Sequence, residues 1–391
     1  MRVVIAGAGI AGLTTALSLH AAGITDVVIH ESVEEIRPLG VGINLLPHAV
    51  RELVELGLGE KLAETGVATA DLTFINRYGQ VIWSEQRGLA AGYGWPQYSI
   101  HRGRLQYLLL DAVKERLGED SVITGSPVTG LEHDGDVLIG ADGIRSGVRA
   151  ALFPDEGEPL WSGQVLWRGT TVTKPFHGGR SMVMAGDDVQ KIVIYPIAPV
   201  DEDGNQLINW AIQRQAPETV PRGDWNRKVE IEKFRHHVAG WRCEWLDIPA
   251  LVDGAQVVYE YPMVDRDPLP RWSTDTVTLV GDAAHPMYPT GSNGAVQSII
   301  DARVLAHTLA TGGDLAAYEK ERREKTNAIV LANRQDGPEV VLRLAHERAP
   351  QGFDDIDEVF PRAEREAIAM KYKQTAGFVA DVLNERSSYS V

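Results

Sequence analysis

Four short runs of mostly apolar residues dominate the hydrophobic pattern of the chain. They span residues 3–6, 27–29, 137–139 and 277–280, and each ends close to a glycine or an acidic residue. Continuous apolar runs of this length are typical of strands that are buried on both faces of a parallel sheet. Between the first two runs, apolar residues recur at helical spacing. Residues 2–29 are therefore predicted to form a strand–helix–strand unit.

Helical spacing recurs in two further segments, at residues 47–56 and 102–117. In the second of these, one side of the predicted helix is apolar over its whole length, with Leu105, Leu109 and Val113 among its members. The chain after the Gly337–Pro338 pair is highly charged and helical in composition. We therefore expect the C-terminal residues to form helices that follow a break at this pair.

A different pattern occupies residues 165–261. Short runs at 182–184, 191–195 and 207–213 mix β-branched, aromatic and polar residues, and turn-forming residues separate them. This pattern predicts an antiparallel sheet, and a stretch of helical spacing adds one helix at about residues 226–238. Most of the tryptophans fall in this region or in residues 70–100, which indicates a second domain inserted twice into the first.

These patterns together predict an α/β protein with a Rossmann-like nucleotide-binding domain and a mainly antiparallel β-sheet domain inserted into it. A chain of 391 residues is long for one compact core. The predicted limits are 1–70, 100–164 and 262–337 for the nucleotide domain, 71–99 and 165–261 for the inserted substrate domain, and 338–391 for the C-terminal helical segment.

Charge and cysteine content narrow the possible functions. The formal net charge is −16, and such an acidic surface repels nucleic acids and anionic lipids. Cys243 is the only cysteine, which excludes an intramolecular disulfide and fits a reducing compartment. The apolar N-terminus is interpreted as a strand, turn and helix and not as a signal peptide. We therefore expect a cytoplasmic protein that binds neither nucleic acid nor membrane, with its oligomeric state left open.

The turn after the first strand carries a dinucleotide-binding pattern. Gly7, Gly9 and Gly12 form a GxGxxG sequence, with Ala11 inside it. In this pattern the glycines allow a tight turn, a close approach of the backbone to a pyrophosphate, and close packing of helix on strand. Glu31 follows the second strand, where its carboxylate can accept hydrogen bonds from the adenosine ribose. The expected nucleotide is FAD or NAD, and this motif does not decide between them.

Two more glycine–acid pairs follow later predicted strands. Residues 140–146 read GADGIRS, and residues 281–295 read GDAAHPMYPTGSNGA before an apolar helix. Asp282 would end a strand where its carboxylate can accept a hydroxyl of a bound nucleotide. The stretch Gly291, Ser292, Asn293 and Gly294 would bring backbone amides at the start of a helix close to that ligand, where they can stabilise negative charge. His285 is interpreted mainly as a structural hydrogen-bond donor.

These three motifs, in this order, resemble the class A flavoprotein aromatic hydroxylases, which have the para-hydroxybenzoate hydroxylase fold. The resemblance covers most of residues 1–335. It implies FAD as the cofactor, with Asp142 supporting the pyrophosphate region and the use of nicotinamide. It also implies that Arg102 contacts the FAD phosphates, with Gln106 a weaker candidate, and Gly42 is assigned to cofactor contact as well.

The segments at residues 98–103, 167–169 and 261–270 are most similar to bacterial phenazine-1-carboxylate-type FAD monooxygenases. Salicylate-like and hydroxynicotinate-like hydroxylases share much of the pattern. The resemblance implies that NADH or NADPH reduces the flavin and that O₂ then hydroxylates an aromatic ring through a flavin hydroperoxide. We find no second GxGxxG that would mark a nicotinamide domain and no dense metal-ligand spacing, so no metal site is expected.

The substrate is expected between the flavin and the antiparallel sheet. Candidate lining residues are Met182, Met184, Tyr195 and Trp210, although aromatic residues at strand spacing more often belong to a core. Tyr288 is a further lining candidate. Pro289 and Gly291 lie where the resembling family passes its substrate beside the flavin, and these two residues and Tyr288 are the candidate catalytic residues. Arg168 and Arg266 are candidates for a substrate carboxylate, with an ion pair as the favoured alternative for each.

One departure and two alternatives remain at this point. The family pattern predicts a two-stranded hairpin before Asp142, and only residues 129–136 are present for it. One alternative function is a flavin-dependent reductase or dehydrogenase on the same fold without oxygen insertion. The other is an NAD-binding dehydrogenase or regulatory protein that uses only the first glycine motif, which the two later motifs argue against.

Overall fold

The computed structural model describes residues 1–38, 40–216, 227–335 and 337–390. The strands are, in chain order, β1 Arg2–Ala6, β2 Asp26–His30, β3 Gly42–Leu45, β4 Val67–Ala68, β5 Asp71–Ile75, β6 Val81–Gln86, β7 Tyr98–His101, β8 Val122–Ile123, β9 Val137–Gly140, β10 Leu160–Thr173, β11 Ser181–Gly186, β12 Gln190–Pro196, β13 Gln206–Gln215, β14 Val258–Asp265 and β15 Val277–Leu279. The helices are α1 Ile10–Ala21, α2 Pro47–Glu55, α3 Gly59–Thr65, α4 Arg102–Leu117, α5 Gly147–Leu152, α6 Ile248–Asp253, α7 Gly294–Ala310, α8 Leu315–Asn333, α9 Val340–Arg348, α10 Ile356–Val359, α11 Arg362–Ala376 and α12 Ala380–Glu385.

A parallel sheet forms the nucleotide-binding half of the molecule. Its strands lie in the order β15-β9-β1-β2-β8, and each neighbouring pair is parallel. The apolar runs of β1, β9 and β15 are fully buried or nearly so, because α1 and α7 pack beside them in one large core. This arrangement confirms the predicted Rossmann-like α/β unit, and it brings the carboxyl ends of β1, β9 and β15 to one edge.

A second, mixed sheet has the order β14-β10-β13-β12-β11-β5-β6. Its pairs are antiparallel except β11 with β5, which run parallel. Side chains alternate between its faces. On β13, Ile208, Trp210 and Ile212 point into a core with α6, whereas Ala211 and Gln213 face the opposite side and line a cavity there. The sheet therefore presents one closed face and one face that is available to a ligand.

The C-terminal helices cover this second face. Residues of α9, together with Phe360, pack in one cluster with Phe74, Met182 and Met184 of the mixed sheet. From there α11 runs back toward α8 and the start of α7. The predicted helical segment after Gly337 is confirmed, and its packing makes it a wall of a space beside the mixed sheet.

One local prediction needs correction, and one departure from the family pattern is visible in the structure. The helix predicted at about residues 226–238 is not an α-helix in the described part of that range, which contains only 3₁₀ turns at Ile231–Lys233 and Arg235–His237. Asn226 lies outside the described residues. The expected hairpin before Asp142 is also absent from residues 124–136, which the structure describes in full as irregular chain. The chain passes directly from β8 to β9, and the parallel sheet is complete without the hairpin.

A third sheet has three strands in the order β3-β7-β4, and the strands of the mixed sheet do not keep to the limits predicted for the inserted domain. β10 begins at Leu160 and β14 extends to Asp265, so the mixed sheet draws a few residues from ranges assigned to the nucleotide domain. The domain limits themselves stay a prediction. Within the described ranges, no helix has the length and apolarity that would be needed to cross a membrane.

Candidate active site

The dinucleotide turn links β1 to α1 at the edge of the parallel sheet. The Gly7 amide donates to the His30 carbonyl at 2.7 Å, which ties the turn to the end of β2. A Cβ atom on Gly12 would lie 1.9 Å from the Gly7 carbonyl oxygen, so only glycine fits where the helix meets the turn. Gly9 precedes α1 and borders a cleft, with open space where its Cβ would be. The exposed amides at this helix start can therefore meet an anion.

Glu31 is fixed beside this turn. Its Oε2 accepts the Ala8 amide at 2.7 Å, and its Oε1 accepts the Val33 amide and the Ser32 hydroxyl, each at 3.0 Å. Gln106 supports the turn from the other side, because its Nε2 donates to the Ala8 carbonyl at 2.8 Å. The structure thus places both residues at the turn, where Glu31 is half-buried and Gln106 acts through the backbone.

The cleft runs from the dinucleotide turn to the segment after β15. Gly9, Ala11 and Arg102 line one part of it, and Asp282, Ser292 and Gly294 line another. Arg102 is the first residue of α4, and Asp282 follows β15 directly. A cation, a carboxylate and helix-start amides therefore converge on one space, although they come from residues that are far apart in sequence.

Asp282 projects into this cleft, where its side chain is exposed to the cavity but surrounded by protein. This burial raises the pKa of Asp282 above its ordinary value, and the nearby His285 and Arg102 oppose the increase. An acceptor at this place can receive a hydroxyl hydrogen bond from a bound ligand.

Asp142 has a more local role than the cleft-lining residues. Its Oδ2 accepts the amides of Gly147 at 2.7 Å and Val148 at 3.3 Å, which caps α5. Its Oδ1 is buried without a hydrogen-bond partner among the described residues, and burial raises the pKa of Asp142. Ala141 and Gly143, its neighbours, line the cleft. Asp142 therefore shapes the loop there.

His285 belongs to a buried polar network behind the cleft. Its Nε2 lies 2.5 Å from Asp301 Oδ2, which also accepts the Gly281 amide at 2.9 Å. Asp301 Oδ1 accepts from Arg322 at 2.8 Å. Burial acts to raise the pKa of Asp301, but His285 and Arg322 outweigh it and hold this pKa below its ordinary value. His285 does not line the cleft. This position supports its interpretation as a structural hydrogen-bond donor over a catalytic role.

The stretch from Gly291 to Gly294 forms a strained loop before α7. Gly291 has φ of +65° and Ser292 has φ of +61°, and the latter costs a non-glycine residue about 1 kcal/mol or more. Tyr372 of α11 lies against Gly291, and its hydroxyl contacts Asn293 Nδ2 at 2.6 Å. Asn293 is fully buried and does not line the cleft. The loop therefore presents Ser292 and Gly294 to the cleft while Asn293 anchors it from behind.

A second cavity adjoins the cleft. Five residues border both spaces, and they are Asn44, Arg168, Tyr195, Pro289 and Ser292. Beyond them the second cavity lies between the mixed sheet and α11, and apolar side chains make up much of its wall. Pro289 thus lies at the junction of the two spaces, and Gly291 lines only the second.

The predicted substrate residues divide into two groups. Met182, Met184 and Tyr195 line the second cavity. Trp210 does not, and its assignment is corrected, because it points to the closed face of the mixed sheet, where its Nε1 donates to Thr171 Oγ1 at 3.1 Å. Tyr288 also borders neither cavity, because its ring packs in a small cluster with Leu166 and Met263. Successive side chains of β13 point to opposite faces of the sheet, and this alternation places Trp210 on the closed face.

Of the two arginines considered for a substrate carboxylate, Arg168 lines the cavities and Arg266 does not. Arg266 Nη1 contacts Glu156 at 3.1 Å and its Nε donates to the Ile144 carbonyl, so the ion-pair interpretation holds for it. Arg168 borders both cavities and donates from Nη2 to the Gly42 carbonyl at 2.7 Å. The Tyr195 hydroxyl donates to the same carbonyl at 2.8 Å. Burial raises the pKa of Tyr195, and the neighbouring Arg168 opposes this increase.

Sequence reasoning missed several residues that border the second cavity. Glu85 and Arg87 lie at the end of β6 and just after it, and Tyr372 and Lys373 come from α11. Asn44 was missed as well, although it borders both spaces. No motif marks these positions, because charged residues at a strand end or on a charged helix are ordinarily solvated. The only signal was the helical pattern of the C-terminal segment, which does not say where the helix packs.

The cleft fits an FAD molecule on chemical grounds. Helix-start amides and Arg102 suit the two phosphates, Asp282 offers an acceptor to a ribityl hydroxyl, and Ser292 and Gly294 border the end nearest the second cavity. Glu31 does not line the cleft itself, and it is fixed beside the dinucleotide turn, where the adenosine ribose is expected. When it is bound, FAD supplies the acceptance of hydride from NAD(P)H and the activation of O₂.

Comparison with known proteins agrees with this fit. A family model described as an FAD binding domain matches residues 1–137 and 132–332. The chain belongs to this family. It is 47% identical over 361 residues to the phenazine 1,6-dicarboxylic acid hydroxylase PhzS of Lysobacter antibioticus, a match that covers 85% of this chain and 89% of that protein. It is 29% identical over 382 residues to 3-hydroxybenzoate 6-hydroxylase 1 of Aquipseudomonas alcaligenes, with coverage of 85% and 88%.

Solved structures show the same fold. The Klebsiella pneumoniae HpxO structure with FAD and uric acid superposes with a TM-score of 0.77 at 23% identity and covers 97% of each chain. A salicylate hydroxylase substrate complex gives a TM-score of 0.73 at 21% identity, with coverage of 99% and 98%. The protein is therefore an FAD-dependent aromatic monooxygenase that uses NAD(P)H. The relatives are hydroxylases, which decides against the reductase and NAD-dehydrogenase alternatives.

Proposed function

We propose that this enzyme hydroxylates a planar aromatic carboxylate of the phenazine type in the second cavity. The observation that carries the proposal is the junction at Pro289, where an apolar cavity opens onto the FAD cleft. Leu72, Met182, Met184 and Val193 give that cavity walls that suit a flat ring system. The similarity to a relative named for phenazine 1,6-dicarboxylic acid supports the same substrate class.

The chain's own residues position the reactants and exclude water. The loop from Gly291 to Gly294 precedes α7, whose amino end carries partial positive charge that favours an anionic reduced flavin. Tyr372 and Phe378 close the cavity from the C-terminal side, and a closed site limits the loss of activated oxygen to solvent. Pro289 and Gly291 would border the substrate ring where oxygen is transferred.

The nicotinamide would reach the flavin without a domain of its own. The sequence has one GxGxxG turn, and its helix-start amides border the cleft that we assign to FAD. We therefore propose that NADH or NADPH meets the bound flavin at the protein surface, where FAD would supply the acceptance of its hydride. The choice between the two coenzymes, and the cytoplasmic location that the single cysteine favours, stay predictions.

A direct test uses the purified enzyme with FAD, NADH or NADPH, and one aromatic acid at a time. Phenazine-1-carboxylate, phenazine-1,6-dicarboxylate and 3-hydroxybenzoate are compared by coenzyme oxidation and by mass spectrometry of the product. We expect a hydroxylated product and substrate-stimulated oxidation with a phenazine acid above the rate for 3-hydroxybenzoate. A hydroxylated product from 3-hydroxybenzoate alone would contradict the proposed substrate class.

A further inference from the structure

Three charged side chains form a cluster on the wall of the second cavity. Glu85 is near the end of β6, Arg87 follows that strand, and Lys373 belongs to α11. The Arg87 Nη2 lies 2.5 Å from Glu85 Oε1, and the Lys373 Nζ lies 2.8 Å from Glu85 Oε2. All three line the second cavity, and none of them lines the FAD cleft. The cluster therefore belongs to the part of the cavity that only a substrate would use.

This cluster is mostly withdrawn from solvent. The side chains of Arg87 and Glu85 are only 11% and 12% exposed, and that of Lys373 is 20% exposed. Burial acts to raise the pKa of Glu85, but Arg87 and Lys373 outweigh it and lower this pKa. Glu85 therefore stays ionised at neutral pH, and the three groups together carry one positive charge.

The whole cavity carries an excess of positive charge. Arg87, Arg168 and Lys373 line it against the carboxylates of Glu85 and Glu339, and Lys191 pairs with Glu339. The chain as a whole has a formal net charge of −16. The overall composition of so acidic a protein would not by itself produce a cationic cavity. Buried charge without full compensation is costly, and an anionic ligand would supply the compensation.

Arg87 has donors to spare for such a ligand. A guanidinium carries five N–H groups, and Glu85 is the one side-chain partner of Arg87 that the described residues provide. Arg168 is differently placed, because it lies at the junction with the FAD cleft and donates to the Gly42 carbonyl beside the Tyr195 hydroxyl. The two arginines therefore differ in position. Arg168 lies where the second cavity joins the FAD cleft, and Arg87 lies in the second cavity alone.

We propose that Arg87 and Lys373 together bind the carboxylate of the aromatic substrate, with Glu85 holding both cations in position. This inference rests on the proposed function, because it concerns the substrate of that same site. An arginine and a lysine can share the two oxygens of one carboxylate, each through a charge-assisted hydrogen bond. Arg87 and Lys373 would then set specificity for an acid, while Pro289 and Gly291 lie beside the ring.

The experiment compares a carboxylate with its neutral amide on the same ring. Phenazine-1-carboxylate and phenazine-1-carboxamide are titrated into the FAD-loaded enzyme, and the dissociation constant is read from the change in flavin absorbance. The variants are Arg87→Met and Lys373→Met, with Arg87→Lys and Lys373→Arg as conservative partners. Lys325→Met is the control, because Lys325 is an exposed residue paired with Glu321 on α8 and its loss changes only the net charge.

We expect the wild type and Lys325→Met to bind the acid at least tenfold more tightly than the amide. In Arg87→Met and Lys373→Met this ratio should fall toward one because affinity for the acid is lost, and amide affinity should change less than twofold. The conservative variants should restore most of the preference. An unchanged amide affinity with bound FAD shows that a variant is folded.

Two results would overturn the inference. One is a wild-type enzyme that binds acid and amide equally, and the other is a preference that survives in both methionine variants but disappears in Arg168→Met. The proposed function fails separately, if the wild type discriminates in binding but hydroxylates neither phenazine. In that case the carboxylate site stands and the reaction assignment is wrong.

Discussion

Alanine at two glycines of the dinucleotide turn should affect two different properties, stability at Gly12 and FAD affinity at Gly9. At Gly12 the new Cβ would meet the Gly7 carbonyl oxygen at 1.9 Å, a backbone atom that cannot rotate away. An approach of 1.9 Å to a backbone atom lies at the upper end of overpacking costs, ~3 kcal/mol, and the better helix propensity of alanine offsets about 1 kcal/mol of it. Gly12→Ala should therefore destabilise the apoprotein by roughly 2 kcal/mol. At Gly9 the Cβ would enter open space at an ordinary φ of −77°.

Gly9→Ala should leave the apoprotein within about 0.5 kcal/mol of the wild type, as is usual for uncrowded positions. It should nevertheless weaken FAD, because Gly9 borders the cleft at the amino end of α1, and a methyl there keeps the pyrophosphate from the backbone. We expect at least a tenfold rise in the dissociation constant, or about 1.4 kcal/mol.

The assay for this pair combines denaturant unfolding of the apoprotein with a flavin fluorescence titration. The two variants serve as controls for each other, because both add one methyl group to the same turn. Wild-type FAD affinity in Gly9→Ala would refute the placement of the pyrophosphate at this helix start. Wild-type stability in Gly12→Ala would refute the close packing of helix on turn.

Three further predictions concern the loop before α7, the closed face of the mixed sheet and the acidic residue of the cleft. Gly291→Ala should destabilise the protein well beyond Gly377→Ala in a thermal melt, because both have positive φ but only Gly291 meets Tyr372, at 1.8 Å from the new Cβ. Trp210→Ala should cost ~3–5 kcal/mol in urea unfolding as a buried core truncation, and a variant with normal stability and altered substrate preference would contradict its placement. Asp282→Ala should raise the FAD dissociation constant at least tenfold in the flavin titration, and full FAD occupancy with coupled turnover would show that Asp282 has no such role.

The parallel half of the fold could be predicted because its signals are local. Continuous apolar runs mark β1, β2, β9 and β15, and the glycines and acids that follow them lie where the chain must turn. Parallel strands bring those turns to one edge, so the dinucleotide turn and Asp282 could be assigned to one cleft from their order alone. The helical composition of the C-terminal segment was also sufficient to predict helices.

The facing of individual side chains could not be predicted in the same way. Trp210 and Ala211 are neighbours on β13, yet one is in a closed core and the other lines the cavity. A shift of one residue in the predicted register exchanges the two faces. The charged cluster of Glu85, Arg87 and Lys373 could not be predicted for another reason. Lys373 reaches Glu85 only because α11 packs against the mixed sheet. The helix predicted at about residues 226–238 was wrong because a helical composition does not distinguish a continuous α-helix from the two short 3₁₀ turns, at Ile231–Lys233 and Arg235–His237, that the structure contains.

The proposed reaction transfers one oxygen atom from O₂ to a phenazine acid. It is measured most directly by incubating the FAD-loaded enzyme with NADH and phenazine-1-carboxylate under ¹⁸O₂ and recording the product mass, with NADPH in a parallel reaction. We expect a hydroxylated product that carries one ¹⁸O atom, and coenzyme oxidation that stops without oxygen. A product without ¹⁸O, or coenzyme oxidation that proceeds equally under nitrogen, would contradict it.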